Sequence, residues 1–283
     1  ITLHALAEEG DEVILIAPFF PEYKVFAEGA GMKVKIVLSD PDTLLPDYDA
    51  IEKAINEHTK AIIVNSPNNP SGVVLSEEEI KKLAALLEKK EKENGKPIYL
   101  IADEPYRELV YGGAKAPYIT KYYRNTVVCY SFSKCLSLPG ERIGYILVPD
   151  EAENSKEVFT AVCGAGRMLG FVCAPSMYQF VVRECVGKTA DLSAYEKNRD
   201  LLVGTVERLG FSCAKPDGAF YLFMKSPEPD AAAFCERAKK YELLFVPSDS
   251  FGFSGYVRIA YCVSHDMIER SIPAFEKLAK EYF

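Results

Sequence analysis

A lysine follows a short apolar segment of this chain and lies among side chains that can bind phosphate. Lys134 comes soon after the apolar run at residues 126–130, which predicts a buried strand. Ser131 and Ser133 lie beside the lysine, and Arg142 follows it. An amine in this position can form a Schiff base with an aldehyde, while hydroxyls and a guanidinium can hold a phosphate. The segment therefore predicts a site for a phosphorylated aldehyde.

Two upstream segments supply other polar side chains that such a site needs. Asp103 follows a second apolar run, and a buried carboxylate there could keep a ring nitrogen protonated. A turn or helix-capping aspartate is the alternative. Tyr106 and Asn69 could hydrogen-bond a ring hydroxyl, although the asparagine lies in N-N-P-S-G, a composition that also makes ordinary turns. Phe20 could stack on a ring face or simply belong to the core.

An arginine in the last third of the chain is a candidate for binding a substrate. Arg258 lies within an otherwise apolar run at residues 256–261, which predicts a strand. A lone arginine in such a strand needs an anionic partner. A substrate α-carboxylate is the candidate that we favour, and an internal salt bridge is the alternative.

These residues need a scaffold that brings distant segments together. Six apolar runs without strict polar alternation predict strands that are covered on both faces: residues 12–17, 33–38, 61–64, 98–102, 126–130 and 144–148. The clearest helix starts with the capping box of Ser76 and Glu79 and ends near Gly95. Strands that alternate with helices favour an α/β fold, in which a mainly parallel sheet is sandwiched by helices. Ligands bind at the carboxyl ends of such strands.

The pattern changes after about residue 150 to that of a smaller α+β domain. The later runs predict helices over residues 171–186, 192–209, 231–240 and 264–282, the last kinked at Pro273, and strands over residues 218–224 and 256–261. We place the domain boundary at residue 186. This gives a cofactor-binding large domain over residues 1–186 and a C-terminal small domain over residues 187–283.

Composition excludes several classes of function. The 283 residues carry a formal net charge of −8, which argues against a nucleic-acid surface. No apolar run approaches the ~20 residues of a membrane helix. The eight cysteines form no C-x-x-C pair and the three histidines are far apart, so no metal site is expected. Many cysteines lie in apolar runs, which is typical of buried, reduced thiols and favours the cytoplasm.

The first ten residues read as the end of an amphipathic helix capped by Gly10. Because the chain opens within a helical pattern and without Met, we expect its natural N-terminus to be missing.

The runs S-F-S-K, N-S-P-N-N-P-S-G and A-D-E-P-Y, with Arg142 downstream, together resemble the class I/II aminotransferases, which are pyridoxal-phosphate enzymes of fold type I. The resemblance covers nearly the whole chain. It implies pyridoxal phosphate as cofactor, with Lys134 as the Schiff-base lysine and proton shuttle and Arg258 binding the substrate α-carboxylate. Around the cofactor ring, it implies Asp103 on the pyridine nitrogen, Tyr106 and Asn69 on the ring oxygen, and Phe20 stacked on the ring. It implies that the phosphate is held by Ser131, Ser133 and Arg142.

The same resemblance implies a ping-pong transfer of an amino group between an amino acid and a 2-oxo acid. It also implies a homodimer and a further N-terminal segment that this chain does not contain. Arg167 falls about where family members that act on dicarboxylic substrates place a side-chain-binding arginine, which reaches into the neighbouring subunit.

Three other interpretations remain open at this point. A β-eliminating carbon–sulfur lyase would use the same lysine and the same ring contacts. A sensor domain would bind pyridoxal phosphate without catalysis, although the acidic charge and the lack of a helix-turn-helix weigh against it. The run S-F-S-K also matches S-x-x-K of serine β-lactamases, but that fold gives Asp103 and Arg142 no role.

Overall fold

A six-stranded sheet forms the centre of the larger part of the molecule. The computed structural model describes residues 1–283. The strands of this sheet are β1 (Glu12–Ala17), β2 (Lys33–Leu38), β3 (Thr59–Asn65), β4 (Tyr99–Asp103), β5 (Thr126–Ser131) and β6 (Gly144–Leu147). Their order is β2-β1-β3-β4-β5-β6. All pairs are parallel except β5–β6, which is antiparallel. The α/β class and all six strands are confirmed, with ends displaced by no more than two residues.

Apolar side chains cover both faces of this sheet. Ile62 and Leu100 belong to one buried cluster, and their neighbours Ile63 and Ile101 belong to another. Because successive strand residues point to opposite faces, the two clusters lie on opposite sides of the sheet. Because both faces are covered by apolar side chains, these strands show no alternation of polar and apolar residues, which confirms the prediction from the sequence.

Helices connect the strands and pack on them. They are α1 (Thr2–Leu6), α2 (Glu22–Gly29), α3 (Tyr48–Ala54), α4 (Glu77–Asn94), α5 (Phe132–Cys135), α6 (Ser155–Met168) and α7 (Ser176–Cys185). The predicted limits of α4 are confirmed: the Ser76 hydroxyl accepts a hydrogen bond from the Glu79 N–H at 3.2 Å, and Gly95 ends the helix at φ 69°. None of the helices combines the length and apolar character needed to span a membrane.

The C-terminal part contains a second, three-stranded antiparallel sheet. It is formed by β7 (Tyr221–Lys225), β8 (Val246–Pro247) and β9 (Tyr256–Ala260), in the order β7-β9-β8. The helices α8 (Leu192–Arg208), α9 (Ala231–Lys239) and α10 (His265–Ala279) accompany it, and Pro273 lies inside α10. The boundary at residue 186 stays a prediction, because one apolar cluster runs from Ile62 of the first sheet to Leu222 of the second.

Three expectations about local structure are wrong. The first helix ends at Leu6 with Ala7 as its cap, well before Gly10. The helix predicted over residues 171–186 begins only at Ser176, because Pro175 restricts the backbone conformation of the residue before it. Most of the thiols are not buried: Cys135 and Cys235 are buried, but Cys163, Cys173 and Cys262 are exposed. A cytoplasmic location stays a prediction.

Candidate active site

A large cleft opens at the carboxyl edge of the parallel sheet, where β3, β4 and β5 end. Its volume is about 1280 Å³. All ten residues singled out from the sequence line this cleft: Phe20, Asn69, Asp103, Tyr106, Ser131, Ser133, Lys134, Arg142, Arg167 and Arg258. Parallel strands bring their carboxyl ends to one edge, and this geometry unites segments that are far apart in the chain. The individual roles of these residues stay predictions.

Asp103 provides the buried carboxylate of the cleft. It ends β4, and its backbone carbonyl accepts a hydrogen bond from the Asn65 side chain of β3 at 2.8 Å. Burial raises the pKa of the Asp103 carboxyl to about 6, although a hydrogen bond from the Tyr23 hydroxyl acts in the opposite direction. Burial and the nearby carboxylate raise the pKa of Tyr23 well above its ordinary value. Tyr23 therefore remains a donor to Asp103 over the whole physiological pH range.

Lys134 lies in α5, the single turn of helix that follows β5 directly. Ser131 caps this turn: its hydroxyl accepts a hydrogen bond from the Ser133 N–H at 3.2 Å, and the two hydroxyl oxygens are 2.7 Å apart. The Lys134 amine lies 5.9 Å from the ring centre of Tyr106 and 5.5 Å from that of Phe220. The Lys134 amine therefore lies beside two aromatic rings, and the hydroxyls of Ser131 and Ser133 lie at the start of the same helical turn.

Arg142 lies at the exposed lip of the cleft. Its backbone has φ 51°, which is uncommon for a residue other than glycine. Its guanidinium donates a hydrogen bond to the Pro139 carbonyl at 2.8 Å. The structure therefore brings Arg142 to the same cleft as Ser131 and Ser133, but its guanidinium contacts its own loop.

Arg258 connects the second sheet to the loop after β3. Its guanidinium donates a hydrogen bond to the Asn69 side-chain oxygen at 2.9 Å, and the Asn69 N–H donates to Asn65 Oδ1 at 2.7 Å. The guanidinium also lies 4.7 Å from the ring centre of Tyr221 and 5.0 Å from that of Phe251. Its Nε is buried without any hydrogen-bond partner. A buried, unsatisfied donor next to a cleft is suited to an anionic ligand.

Tyr106 is paired with a tyrosine of the second sheet. Its hydroxyl oxygen lies 3.1 Å from that of Tyr221, and both side chains are buried. Phe20 is partly buried and packs edge-on against Tyr23, with ring centres 5.6 Å apart. Arg167 is exposed on α6 and lines the cleft from the same chain.

Sequence reasoning missed two residues of this site, Tyr23 and Tyr221. Tyr23 lies in a short helix whose apolar residues suggest only packing, and it is separated from Asp103 by 80 positions. Tyr221 lies in the run G-A-F-Y-L-F, which predicts a buried strand. In both cases the signal that could have identified the residue was a tyrosine at a position expected to be buried. The hydroxyl of a buried tyrosine needs a hydrogen-bond partner, which suggests nearby polar groups.

Comparison with known proteins places the chain in a single family. A sequence model described as aminotransferase class I and II matches residues 1–275. The crystal structure of an amino transferase from Eubacterium rectale is 58% identical, has a TM-score of 0.96, and is matched over 99% of this chain and 71% of that one. A mutant aspartate aminotransferase structure from Thermus thermophilus is 30% identical, with a TM-score of 0.88 and coverage of 98% and 76%. The probable aspartate/prephenate aminotransferase of Aquifex aeolicus is 31% identical, and the match covers 98% of this chain and 72% of that protein.

Proposed function

This chain belongs to the class I and II aminotransferases and is a transaminase, and we propose that it works at the cleft described above with pyridoxal phosphate bound through Lys134. The family generally depends on this cofactor. The observation that carries the proposal is the convergence of Lys134, Asp103 and Arg258 on one cleft from three separate elements. The membership also rules out the S-x-x-K hydrolase interpretation.

The residues of the cleft fit this cofactor. Asp103 supplies a buried carboxylate that would gain from a cationic partner such as a protonated ring nitrogen, since its pKa is raised by burial to about 6 in spite of the hydrogen bond from Tyr23. Ser131 and Ser133 offer two hydroxyls, 2.7 Å apart, for a phosphate, and Arg142 would turn from Pro139 to add its charge. Tyr106 and Asn69 would hydrogen-bond the ring oxygen, and Phe20 would cover one ring face.

The bound cofactor supplies an aldehyde and a ring that withdraws electrons from the substrate α-carbon. Lys134 holds the cofactor and then, once displaced, carries a proton away from the α-carbon as a general base and returns it elsewhere as a general acid. Asp103 keeps a proton on the ring nitrogen, and Tyr23 keeps Asp103 ionised and in position by donating to it. These steps need no metal ligand from the chain.

Arg258 would bind the substrate α-carboxylate. Its buried Nε has no partner, and its Nη1 donates to Asn69, so a carboxylate would satisfy the remaining donors in a paired geometry. Relatives are named aspartate/prephenate or aspartate aminotransferases. We therefore propose a dicarboxylic amino acid as one donor, with Arg167 binding the second carboxylate of a substrate held in the neighbouring subunit.

We also propose that this protein forms a homodimer. Phe159, Phe171 and Val172 are largely exposed and also line the cleft. An apolar patch continuous with an active site is typical of a surface that a second copy covers. Sedimentation equilibrium over a range of protein concentrations tests this, and a monomer at every concentration would contradict it.

The decisive experiment loads the protein with pyridoxal phosphate, reduces it with borohydride and maps the labelled peptide. We expect a visible absorption band and a cofactor adduct on Lys134. Lys134→Ala should lose both, whereas Lys188→Ala, which changes an exposed lysine outside the cleft, should keep both. A labelled peptide without Lys134 would contradict the proposal.

The reaction itself is tested by product analysis. A transaminase converts an amino acid only once per bound cofactor unless a 2-oxo acid acceptor is added. Continuous release of pyruvate and ammonia from cysteine or cystathionine without an acceptor would instead indicate β-elimination.

A further inference from the structure

Tyr221 touches the two halves of the site at once. It lies on β7 of the second sheet, and its hydroxyl oxygen is 3.1 Å from that of Tyr106, which follows β4 of the first sheet. On its other side, its ring centre lies 4.7 Å from the guanidinium carbon of Arg258. One side chain therefore contacts both the proposed ring-oxygen donor and the proposed carboxylate-binding arginine.

Two neutral hydroxyls at this distance share one hydrogen bond, and the more acidic hydroxyl is the better donor. Burial raises the pKa of both tyrosines. The charge of Arg258 lowers the pKa of both hydroxyls, but the Arg258 guanidinium packs directly on Tyr221, with its carbon 4.7 Å from the ring centre. This adjacent cation makes Tyr221 the more acidic member of the pair.

The other titratable groups that face the pair do not reverse this order. They are Tyr23, Asp103, Lys134, Arg258 and Cys262. Asp103 raises the pKa of Tyr106, which strengthens the difference, and Cys262 acts on Tyr221 less strongly than Arg258 does. Lys134 lies 5.9 Å from the Tyr106 ring centre, at the face of the ring.

We propose that Tyr221 is a positioning residue that donates its hydrogen bond to Tyr106 and thereby directs the Tyr106 hydroxyl proton into the cleft, toward the ring oxygen of the cofactor. This rests on the proposed function. A hydroxyl that accepts one hydrogen bond becomes a stronger donor in the next, because hydrogen bonds in a chain polarise one another. Tyr221 thus strengthens the contact that Tyr106 makes and fixes its direction.

The position of Tyr221 beside Arg258 also couples the two halves of the site. When a carboxylate binds Arg258, it offsets the positive charge next to Tyr221, which then becomes a weaker donor to Tyr106. Binding at the arginine is thereby transmitted to the ring oxygen through two hydroxyls, in addition to the route through Asn69, which accepts a hydrogen bond from Arg258.

The test is Tyr221→Phe in the cofactor-loaded protein, with the visible absorption band followed as a function of pH. A hydrogen bond to the ring oxygen favours its ionised form, so a weaker bond should raise the pH midpoint of the band. We expect a rise of roughly 0.5 to 1 pH unit, the equivalent of one neutral hydrogen bond. With saturating maleate, a dicarboxylate without an amino group, the midpoint should shift less in the variant than in the wild type.

Tyr111→Phe is the matched control. Tyr111 is equally buried, its hydroxyl donates to the Ala219 carbonyl, and it does not line the cleft. This variant should lower the Tm without moving the midpoint, which separates a structural effect from a positioning effect. If Tyr221→Phe carries cofactor on Lys134 but keeps the wild-type midpoint and maleate shift, the inference is wrong and the proposed function stands. If the wild type itself shows no cofactor band, both are wrong.

Discussion

At the scale of single residues, Asp103 illustrates how the site is built at the expense of stability. Its carboxyl is buried at the end of a parallel strand, where burial raises its pKa to about 6. Tyr23 is the side chain that donates to it. A carboxylate held in this way is unfavourable without a cationic partner and becomes favourable beside a cation, as is common in sites arranged for a charged ligand.

We expect Asp103→Asn to be more stable than the wild type at pH 7 when no cofactor is bound. An unfolded aspartate has a pKa of about 3.9, and the folded value is about 6. The contribution of Asp103 to the free energy of unfolding is therefore most favourable below pH 4 and is lost as the pH rises through about 6. Because asparagine cannot ionise, the variant avoids this loss. Its free energy of unfolding at pH 7 should exceed that of the wild type by about 1 to 2 kcal/mol after allowing for solvent in the cleft.

Urea unfolding between pH 4 and pH 8 measures this gain. Asp150→Asn, at an exposed position outside the cleft, controls for the change in net charge and should leave the profile unaltered. A variant that is no more stable than the wild type at pH 7 would contradict the assignment of Asp103 as a buried, ionised carboxylate.

Arg167→Ala tests the proposed dicarboxylate specificity. The loss of one charge-assisted contact should lower kcat/KM for aspartate by roughly 10- to 100-fold, while values for neutral amino acids stay near those of the wild type. Steady-state kinetics on both substrate types provide the measurement. Arg183→Ala, on the exposed surface of α7 and away from the cleft, should change neither. Equal losses on aspartate and neutral amino acids would refute the role.

At the scale of elements, the antiparallel pair β5–β6 holds the turn that carries the lysine. Gly144 of β6 is paired with Ser131 of β5. A Cβ at Gly144 would lie 2.2 Å from the Tyr130 carbonyl oxygen and 3.1 Å from Ser131 Cα. Only glycine allows the two strands to approach this closely, and their approach fixes the start of α5 and thus Lys134.

Gly144→Ala should push β6 away from β5 and displace Ser131. We expect weaker binding of pyridoxal phosphate, measured by equilibrium titration, together with a Tm lowered by several degrees. Gly140 lies in the connection between α5 and β6, where an added Cβ would meet nothing within 4 Å. The control variant Gly140→Ala should therefore bind the cofactor as the wild type does. Wild-type affinity in Gly144→Ala would show that this approach does not position the site.

Elements with a strong periodic signal were predictable, and contacts between elements were not. The six strands of the first sheet and both ends of α4 follow from apolar runs and from residues 76 and 95. Helix α6 was missed, since Gly164 and Gly166 weaken its helical pattern. The cleft could be inferred because parallel strands end at one edge. The pairing of Tyr221 with Tyr106 could not, because no local pattern shows which strand of the second sheet faces which loop of the first.

At the scale of the whole molecule, the segment before β7 attaches the second sheet to the first. The Gly218 N–H donates to the Gly72 carbonyl at 3.0 Å, and the Ala219 N–H donates to the Leu109 carbonyl at 2.9 Å. A Cβ at Gly218 would lie 2.7 Å from Pro67 Cβ. This backbone contact places β7, and with it Tyr221, against the loop that contains Asn69.

Gly218→Ala should separate the two parts and weaken the hydrogen bond from Arg258 to Asn69. We expect a lower Tm and roughly 10-fold weaker binding of maleate, the equivalent of about 1.4 kcal/mol, measured by isothermal titration calorimetry. Gly204→Ala lies on α8 with nothing within 4 Å of an added Cβ, and it should keep maleate affinity and gain slightly in stability. Unchanged maleate binding in Gly218→Ala would contradict this account.

The hydrogen bond between Arg258 and Asn69 joins residues 189 positions apart, and this separation has a consequence for how the protein is made. On the ribosome, the first sheet is translated in full long before Arg258 is synthesised. A nascent chain at that stage already contains Lys134 and Asp103. It does not yet contain Arg258, which donates a hydrogen bond to Asn69, or Tyr221, whose hydroxyl contacts that of Tyr106. Because contacts between distant segments form late in folding, recognition of a carboxylate should appear only after translation has passed β9. Synthesis of β9, rather than closure of the first sheet, then sets the earliest point at which substrate can bind.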